Sequence, residues 1–416
     1  MTDRSLGFEQ LYRRQYGQLL AIATGIVGDL ARAEDLVQAS FVKVMNRWPD
    51  ACYPDHIEAW LVTVTKNAAL DGIRHNAVRA NKLDQLSAEL NYEPAEMKEL
   101  DLHQHPALND DMLRLMFTCC HPALNIDARV ALCLNTICGL RTEEIARAFV
   151  TSDATMSQRL WRAKNKIREA GIPYEMPADD ELSPRLQSVL AAIYLIFNEG
   201  WLASGEQHQR MELLNEAIRL GQVLTQSLQD NSEVRALLAL MMLQHSRRHA
   251  RFSADGELVL LADQDRSLWQ RQEIQRATSI LEQLFSDGHG KGRYALMAAI
   301  AATHCNTAEA SLTNWNEIAV LYEALMTIDP SPVVALNHAV AVGERDGAAA
   351  GLQLLSGLHE VAMMQRYYLY HATRADFLRR LKKNSESAQA YQQALDCAPG
   401  KAEQTLLRHR LTQVSD

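Results

Sequence analysis

The segment at residues 140–169 restricts the fold of this chain most, because it predicts two helices separated by a short break. Residues 142–149 place apolar side chains at helical spacing, with two glutamates in the first turn, where the helix dipole favours acids. In the break VTSD, Ser152 and Asp153 are residue types that cap helix N-termini. The next helix carries one apolar stripe: Met156, Leu160, Ala163 and Ile167. This pattern predicts a helix-turn-helix.

The second predicted helix is strongly basic outside its apolar stripe. Lysine and arginine neutralise DNA phosphates, and side chains near the start of such a helix reach base edges. The side chains predicted to contact DNA are Thr155, Gln158, Arg159, Arg162, Lys164 and Lys166. Basic amphipathic helices are also common on the surfaces of all-α proteins. The helix pattern alone therefore leaves a solvated basic helix as the alternative.

A gapless resemblance favours DNA binding. The pattern L-x-x-E-E-I-A followed by T-x-x-x-R-L-x-R-A-x-x-K-I-R (140–168) resembles region 4 of bacterial sigma factors, the part that holds the −35 promoter element. The resemblance implies that the predicted DNA contacts are made to this element, and that this region meets the β flap of RNA polymerase. Two positions depart from the pattern. Val150 stands where the family usually has Gly, and Ser157 stands where a Lys or Arg is common.

Residues 8–47 predict two helices with a break at Gly28. The pattern A-E-D-L-V-Q-x-x-F-x-x-V-x-x-x-W (33–48) resembles region 2.2 of the extracytoplasmic-function (ECF) sigma factors, which docks on the clamp helices of the polymerase β′ subunit. The resemblance implies docking by Asp35, Gln38, Phe41 and Arg47. The side chains predicted to point inward are Leu36, Val37, Val44 and Met45. Phe41 is predicted on the outer face, as an interface anchor, with closure of the core edge as the alternative.

Residues 57–75 predict a third helix. Its pattern A-W-L-x-x-x-x-[KR]-N-x-A-L-D-x-[IL]-R resembles regions 2.3 and 2.4, which melt and read the −10 element. Lys66 and Arg74 suit the DNA backbone, and Asn67 suits a base edge. Asp71 would repel DNA, so it is predicted to orient Arg74 at i+3. The core positions predicted here are Trp60, Leu61, Val64, Ala68 and Ile73.

The charge distribution agrees with local DNA binding although the formal net charge is −9. Residues 112–175 carry 9 basic and 6 acidic side chains. Residues 84–111 carry 8 acidic and 1 basic side chain together with Pro94 and Pro106, which predicts a linker. The local field matters more than the total charge. Affinity for random DNA is expected to be poor, so a partner is expected.

Seven cysteines in a chain without a secretion pattern predict reduced thiols. Four of them lie near one histidine: Cys119, Cys120, Cys133, Cys138 and His121. Zinc pairs of the C-x₂-C type are missing, and Cys133 lies inside an apolar run. We expect small buried thiols here, with no metal and no cofactor.

The remainder, 176–416, predicts helices throughout. YEALMTIDP and YQQALDCAP end at Pro330 and Pro399, 69 residues apart, which is close to twice the roughly 34-residue tetratricopeptide (TPR) period. Helix pairs of this kind stack, and their concave surface binds a peptide or another domain. FNEGW and DQDRSLW resemble the sigma-factor subgroup with a C-terminal TPR-like domain. The polar cluster at 263–267 is predicted to be a capping and ion-pair cluster rather than a catalytic one.

The sequence therefore predicts an all-α protein. The predicted domains are sigma region 2 at 1–83, an acidic linker at 84–111, a region 4 helix-turn-helix at 112–175 and a TPR-like domain at 176–416. The resemblance implies a cytoplasmic bacterial sigma factor with no chemistry of its own, which binds core RNA polymerase and promoter DNA. Its fused C-terminal domain is expected to modulate it. The alternative is a helix-turn-helix regulator with a TPR-like sensor, binding operators without polymerase. No segment approaches the roughly 18 apolar residues of a membrane span.

Overall fold

The computed structural model of the protein describes residues 2–50, 52–79, 106–149, 151–201, 207–253 and 255–415. These residues are predominantly helical, and they form no strand beyond one isolated bridge between Phe252 and Leu258. The all-α prediction is confirmed. No described helix is long and apolar enough to cross a membrane. Val150 and most of the predicted linker lie outside the described residues.

The chain divides into two compact units, Met1–Gly200 with Asn215–Ser227, and Trp201–Leu214 with Leu228–Asp416. The first nine helices that the structure describes are α1 (Thr2–Val27), α2 (Leu30–Arg47), α3 (Ile57–Arg79), α4 (Pro106–Cys119), α5 (Ile126–Thr136), α6 (Thr142–Ala148), α7 (Asp153–Glu169), α8 (Asp179–Trp201) and α9 (Gln207–Ser227). The first unit runs past residue 175, where the sequence predicts a boundary. The functional division of the chain stays a prediction.

Helices α1, α2 and α3 pack against one another at the N-terminus. The Asp29 carboxylate begins α2 by accepting a hydrogen bond from the backbone N–H of Arg32 at 2.8 Å. Gly28 precedes it with φ +69°, a conformation that favours glycine. The predicted break is confirmed. The buried side chains of this group include Leu19, Leu20, Val37, Phe41, Val44 and Leu61.

Helices α6 and α7 confirm the helix-turn-helix pattern. Ser152 caps α7 by accepting a hydrogen bond from the backbone N–H of Thr155 at 3.2 Å. Glu144 caps α6 by accepting from the backbone N–H of Arg141 at 2.8 Å. The predicted stripe of α7 is fully buried, namely Met156, Leu160, Ala163 and Ile167. It packs against α5 and α6, which leaves the opposite face of α7 open.

The second unit is a succession of helices in which each packs on the next. They are α10 (Ser232–His245), α11 (Arg271–Ser286), α12 (Arg293–Cys305), α13 (Trp315–Ile328), α14 (Pro332–Asp346), α15 (Ala348–Ser356), α16 (Tyr368–Arg380), α17 (Asn384–Asp396) and α18 (Lys401–Ser415). The pairs α14–α15 and α16–α17 lie between Pro330 and Pro399, in the segment where the sequence predicts stacked helix pairs. Pro330 and Pro399 follow the ends of α13 and α17.

Close packing in the second unit depends on two glycines. Phe377 of α16 is 2% exposed. A Cβ atom at Gly343 of α14 or at Gly351 of α15 would collide with its ring. We call these three residues the glycine–phenylalanine interlock. It joins three consecutive helices because only glycine leaves room for the ring between them.

Candidate nucleic-acid interface

The outer face of α7 presents four of its six predicted DNA contacts to solvent: Thr155, Gln158, Arg162 and Lys166. Arg159 is half-buried, because its guanidinium lies over the ring of Phe149 at 5.6 Å from the centroid. Its Nη1 is also 4.0 Å from an oxygen of Asp127. The Thr155 hydroxyl lies 2.8 Å from the Ser152 hydroxyl, so it takes part in the cap.

Lys164 does not face outward with the other cations. Its ammonium group contacts Glu34 Oε1 of α2 at 2.6 Å and Asn135 Oδ1 of α5 at 3.1 Å. The residue follows buried Leu160 by one helical turn, which places its stem beside the packed face. The expectation that Lys164 lies on an open face is therefore corrected. In this conformation Lys164 bridges α7 to α2.

The outer face of α2 differs from the predicted one. Asp35, Gln38 and Arg47 are exposed. Phe41 is 3% exposed and packs against the ring of Tyr12 with centroids 4.7 Å apart. Its predicted outward orientation is wrong, and the alternative, closure of the core edge, is confirmed. Met45, predicted inward, is 54% exposed.

The buried stripe of α2 is rotated from the predicted one. It consists of Ala33, Val37, Ser40, Phe41 and Val44, with Leu30 at the start. The polar member is satisfied, since the Thr65 hydroxyl donates to Ser40 Oγ at 3.0 Å and Ser40 donates to the Leu36 carbonyl oxygen at 2.9 Å. Val42, which the sequence interpretation did not single out, is 53% exposed. Because Ser40 is polar but buried, the sequence pattern does not indicate which face of this helix packs in the core.

Helix positions at about 100° per residue separate two sides of α2. Asp35, Gln38, Val42 and Met45 fall within one side. Arg47 falls elsewhere, and its guanidinium lies over the rings of Trp48 and Trp60, at 5.1 and 5.6 Å from their centroids. The predicted docking set therefore does not form one patch.

The predicted −10 contacts on α3, Lys66, Asn67 and Arg74, are all exposed. Arg74 Nη1 contacts Asp71 Oδ1 at 3.3 Å, which confirms the predicted i+3 orientation. Ile73 is 39% exposed, so its predicted place in the core is wrong. At Gly72 the backbone carbonyl oxygen accepts a hydrogen bond from Arg32 Nη2 at 2.7 Å. Arg32 thus occupies the space next to the glycine.

A second ion pair joins α1 to the helix-turn-helix. Arg13 Nη2 contacts Glu144 Oε1 at 2.5 Å, and Glu144 is 6% exposed. We call the pairs Glu34–Lys164 and Arg13–Glu144 the closing ion pairs. Beside them α1 approaches so closely that a Cβ at Gly17 would collide with the carbonyl oxygen of Ile137.

One of the closing ion pairs, Glu34–Lys164, lines a cleft of about 710 Å³. Its walls include Gln38 of α2 and Ser157 and Lys164 of α7. A residue of the predicted polymerase-docking set therefore shares one cleft with residues of the predicted DNA-binding helix.

Four of the five cysteines of the first unit, Cys119, Cys120, Cys133 and Cys138, are buried. Cys120 Sγ lies 3.3 Å from Cys133 Sγ, and Cys119 Sγ lies 3.2 Å from the Thr136 hydroxyl. Hydrogen bonds with the two neighbouring thiols, together with burial, raise the pKa of the Cys133 thiol. His121 Nδ1 accepts a hydrogen bond from the backbone N–H of Ala123 at 3.1 Å. No group of three or more metal-ligating side chains assembles within the described ranges.

Residues 11–79 match the model of sigma-70 region 2, and residues 185–285 match a family of unknown function, DUF6596. The uncharacterized protein R00370 of Rhizobium meliloti is 37% identical over 390 residues, which is 93% of this chain and 91% of that protein. The probable ECF RNA polymerase sigma factor SigI of Mycobacterium tuberculosis is 30% identical over 161 residues, which cover 39% of this chain and 54% of SigI. The chain thus carries a sigma-70 region 2 domain at its N-terminus, and its N-terminal part is homologous to ECF sigma factors. No solved structure matches it.

The probable RNA polymerase sigma factor RfaY of Xanthomonas campestris is 29% identical over 178 residues, which cover 40% of this chain and 42% of RfaY. The chain thus matches about half the length of these two named sigma factors. The region 2 match contains α2, α3 and most of α1. The exposed residues of α2 and α3 described above lie inside it. The C-terminal extension that contains DUF6596 begins in α8.

Proposed function

We propose that this chain is an ECF sigma factor, which binds core RNA polymerase and directs transcription initiation at specific promoters. The observation that carries the proposal is the pair of exposed surfaces on α2 and α3, which both lie within the sigma-70 region 2 match. Initiation needs no chemistry from the sigma factor, because the polymerase makes the phosphodiester bonds. The site of action is then the bacterial cytoplasm.

The exposed side of α2 is the proposed contact to the β′ clamp helices. Asp35 and Gln38 supply polar groups, and Val42 and Met45 supply exposed apolar side chains on the same side of the helix. Apolar side chains inside a polar rim are the usual composition of a protein interface. Val42 and Met45 therefore replace Phe41 as the proposed anchors.

Helices α3 and α7 are the proposed DNA contacts. Lys66, Asn67 and Arg74 fall within about 100° of helix surface, so one DNA strand can meet all three. The open face of α7 is proposed to hold the −35 element through Gln158, Arg159 and the neighbouring cations. The adjoining helix-turn-helix surface is proposed to meet the β flap.

The closing ion pairs imply that this conformation is not the promoter-bound one. The −10 and −35 elements lie about 25 base pairs apart by their names, on the order of 80 Å along B-form DNA at about 35 Å per turn. Lys164 of α7 instead contacts Glu34 of α2, and α2 packs on α3. The two DNA-binding helices must separate before both elements can be held, and this releases Lys164 for a phosphate.

The C-terminal helices are proposed to modulate promoter use through a peptide, protein or other ligand. Deleting everything after residue 178 is a poor test of this idea. Arg185 of α8 donates to the carbonyl oxygen of Phe117 at 3.0 Å within the first unit, so the deletion would also remove part of that unit's core. A full-length chain with Phe377→Ala in the second unit is the better test. Unchanged promoter use in a chain with that unit unfolded would contradict modulation.

Run-off transcription with core polymerase and a library of promoter fragments tests the central proposal. Specific transcripts are expected, and they should vanish in the double variant Asp35→Ala and Gln38→Ala, which removes the polar contacts of α2. Asp287→Ala, an exposed aspartate of the second unit, is the matched control and should leave transcription intact. Duplex binding without polymerase, and no initiation with it, would instead assign an operator-binding helix-turn-helix regulator.

A further inference from the structure

A cavity of about 740 Å³ opens in the second unit between α12, α13 and α14. Its walls include the rings of Trp315 and Tyr322, the aliphatic side chains of Ile318 and Val340, and the amide of Asn337. Ligand pockets in proteins have volumes of roughly 300 to 1,000 Å³ and a mainly apolar lining with few polar groups. The cavity has the size and composition of such a pocket.

Arg266 forms part of the cavity wall and is held rigidly. It is 8% exposed, and its guanidinium lies over the Trp269 ring at 4.5 Å from the centroid. Nη1 donates to the carbonyl oxygens of His304 at 2.8 Å and Thr307 at 2.7 Å, and to the Thr307 hydroxyl at 2.7 Å. These three acceptors around Nη1 fix the orientation of the guanidinium plane.

The charge of Arg266 has no counter-ion in the described part of the chain. The predicted ion pair of the 263–267 cluster is not formed there. The predicted cap is formed, because Asp265 Oδ1 accepts a hydrogen bond from the backbone N–H of Ser267 at 2.9 Å. Nε and Nη2 of Arg266 make no hydrogen bond to any described residue. A buried guanidinium without a counter-ion is unfavourable, so an anion at this edge would be stabilised.

Neighbouring groups add to the positive potential. Burial, Arg247 and Arg266 together lower the pKa of His304 to about 4, and the His304 ring lies 5.3 Å from that of Trp315 in the cavity wall. Glu344 also lines the cavity, but it is ion-paired with Arg380 at 2.6 Å. The end of the cavity near Arg266 is therefore positive, and the remaining wall is largely apolar.

We infer that this cavity binds an organic anion, a carboxylate carried on an aromatic or aliphatic body. The open Nε–Nη2 edge of Arg266 matches the two oxygens of a carboxylate, which guanidinium groups bind in a bidentate manner. Trp315 and Tyr322 contact the body of the ligand. The free C-terminus of a peptide and a small organic acid share this chemistry, so the test must distinguish them.

Isothermal titration calorimetry of the full chain with N-acetyltryptophan and N-acetyltryptophanamide tests the charge requirement. The two probes differ only in the carboxylate. A ligand efficiency typical of small ligands predicts a dissociation constant on the order of 0.1 mM for the acid. The amide should bind at least about tenfold more weakly, because it lacks the charge that pairs with Arg266. Equal binding of both probes, or no binding of the acid up to about 10 mM, a hundredfold above expectation, would overturn the inference.

A pentapeptide that ends in tryptophan and indole-3-acetate distinguish the two sources. Tighter binding of the pentapeptide than of N-acetyltryptophan assigns a peptide C-terminus. Binding of indole-3-acetate with exclusion of the pentapeptide assigns a small acid. Both outcomes support the site and differ only in its natural ligand.

Two cavity variants complete the test. Arg266→Gln should lose acid binding, and circular dichroism will report whether it folds. Val340→Phe fills the cavity while keeping Arg266, so it tests the binding site even if Arg266→Gln does not fold. Val320→Phe places the same substitution on a side chain of α13 that is 52% exposed and outside the cavity wall, and should bind normally. Acid binding retained by Val340→Phe would contradict the inference. These experiments measure binding and not transcription, so their outcome is independent of the proposed sigma activity.

Discussion

Two helix–helix contacts in this protein rest on different physical chemistry. The closing ion pairs join α1 and α2 to the helix-turn-helix, whereas the glycine–phenylalanine interlock joins α14, α15 and α16. The Glu34–Lys164 pair keeps 14% and 24% of its side-chain surfaces exposed, and ion pairs that solvent reaches contribute on the order of 1 kcal/mol or less and weaken with salt. A buried phenylalanine stabilises by about 3 to 5 kcal/mol relative to alanine. The first contact is suited to open, and the second is suited to stay closed.

The largest effect is expected at the interlock. Phe377→Ala leaves a cavity between Gly343 and Gly351 and should lower the free energy of unfolding of the second unit by about 3 to 5 kcal/mol. Hydrogen exchange of the α14–α16 amides measures this locally, which matters because a chain of two units need not unfold in one step. Leu369→Ala, at a side chain of α16 that is 40% exposed, is the control and should change little. Equal protection in both variants would contradict the interlock.

The second expected effect is a pH dependence of the second unit. The folded pKa of His304 is about 4, below the ordinary value of 6.5, so the unfolded state binds its proton first as pH falls. Stability should be highest above about pH 6.5 and should fall towards pH 4, by at most about 3 kcal/mol. Hydrogen exchange of the second unit at about pH 7.5 and about pH 5 measures this loss of stability. The variant His304→Gln should show most of the pH dependence removed. His289→Gln, at an exposed histidine, is the matched control. An unchanged dependence in His304→Gln would exclude His304 as its source.

The third prediction concerns the backbone contact beside the closing ion pairs. Gly17→Ala should force α1 away from Ile137 and lower stability of the first unit by about 1 to 3 kcal/mol. Gly25→Ala in the same helix is the control, since its nearest new contact would be an ordinary 3.4 Å to Asp111 Oδ1. Urea unfolding of the two variants compares them. A Gly17→Ala variant as stable as Gly25→Ala would show that α1 and α5 do not touch as described.

The smallest effect is expected at the closing ion pairs. Glu34→Gln removes the partner of Lys164 and should raise affinity for a −35 duplex about two- to fivefold, equivalent to the roughly 0.5 to 1 kcal/mol of a partly exposed pair. Fluorescence anisotropy at low salt measures the change, which should shrink as salt rises. Glu143→Gln removes the same charge from an exposed site of α6 and controls for general repulsion of DNA. Equal gains in both variants would remove any special role of Glu34.

The helix-turn-helix was predictable from sequence because its apolar residues form one clean stripe. Met156, Leu160, Ala163 and Ile167 are all buried as predicted. Helix α2 carries apolar residues around most of its circumference, so its phase is ambiguous in the sequence. A polar residue, Ser40, belongs to its core, while Val42 and Met45 are exposed. The orientation of Phe41 depended on that phase and was therefore mistaken.

Long-range pairs could not be predicted at all. Glu34 and Lys164 are each charged residues of the kind expected on the surface of their own helix, and neither local sequence indicates that the two side chains meet. The uncompensated charge of Arg266 is likewise a property of the fold, because acidic residues adjoin it in sequence but do not pair with it in space. Local capping was predictable there, as Asp265 and Ser267 demonstrate.

The distance between α7 and region 2 is the quantity that tests the proposed promoter binding most directly. Cys52 is exposed and provides a natural label site in region 2, and Ala154→Cys adds one at the start of α7, with Cys397→Ser to prevent additional labelling. Resonance energy transfer between the labels is expected to report a short distance in the free chain. With core polymerase and promoter DNA the distance should lengthen by tens of ångströms, as holding both promoter elements requires. The same short distance in a transcribing complex would contradict both the opening and the proposed placement of α3 and α7 on the promoter.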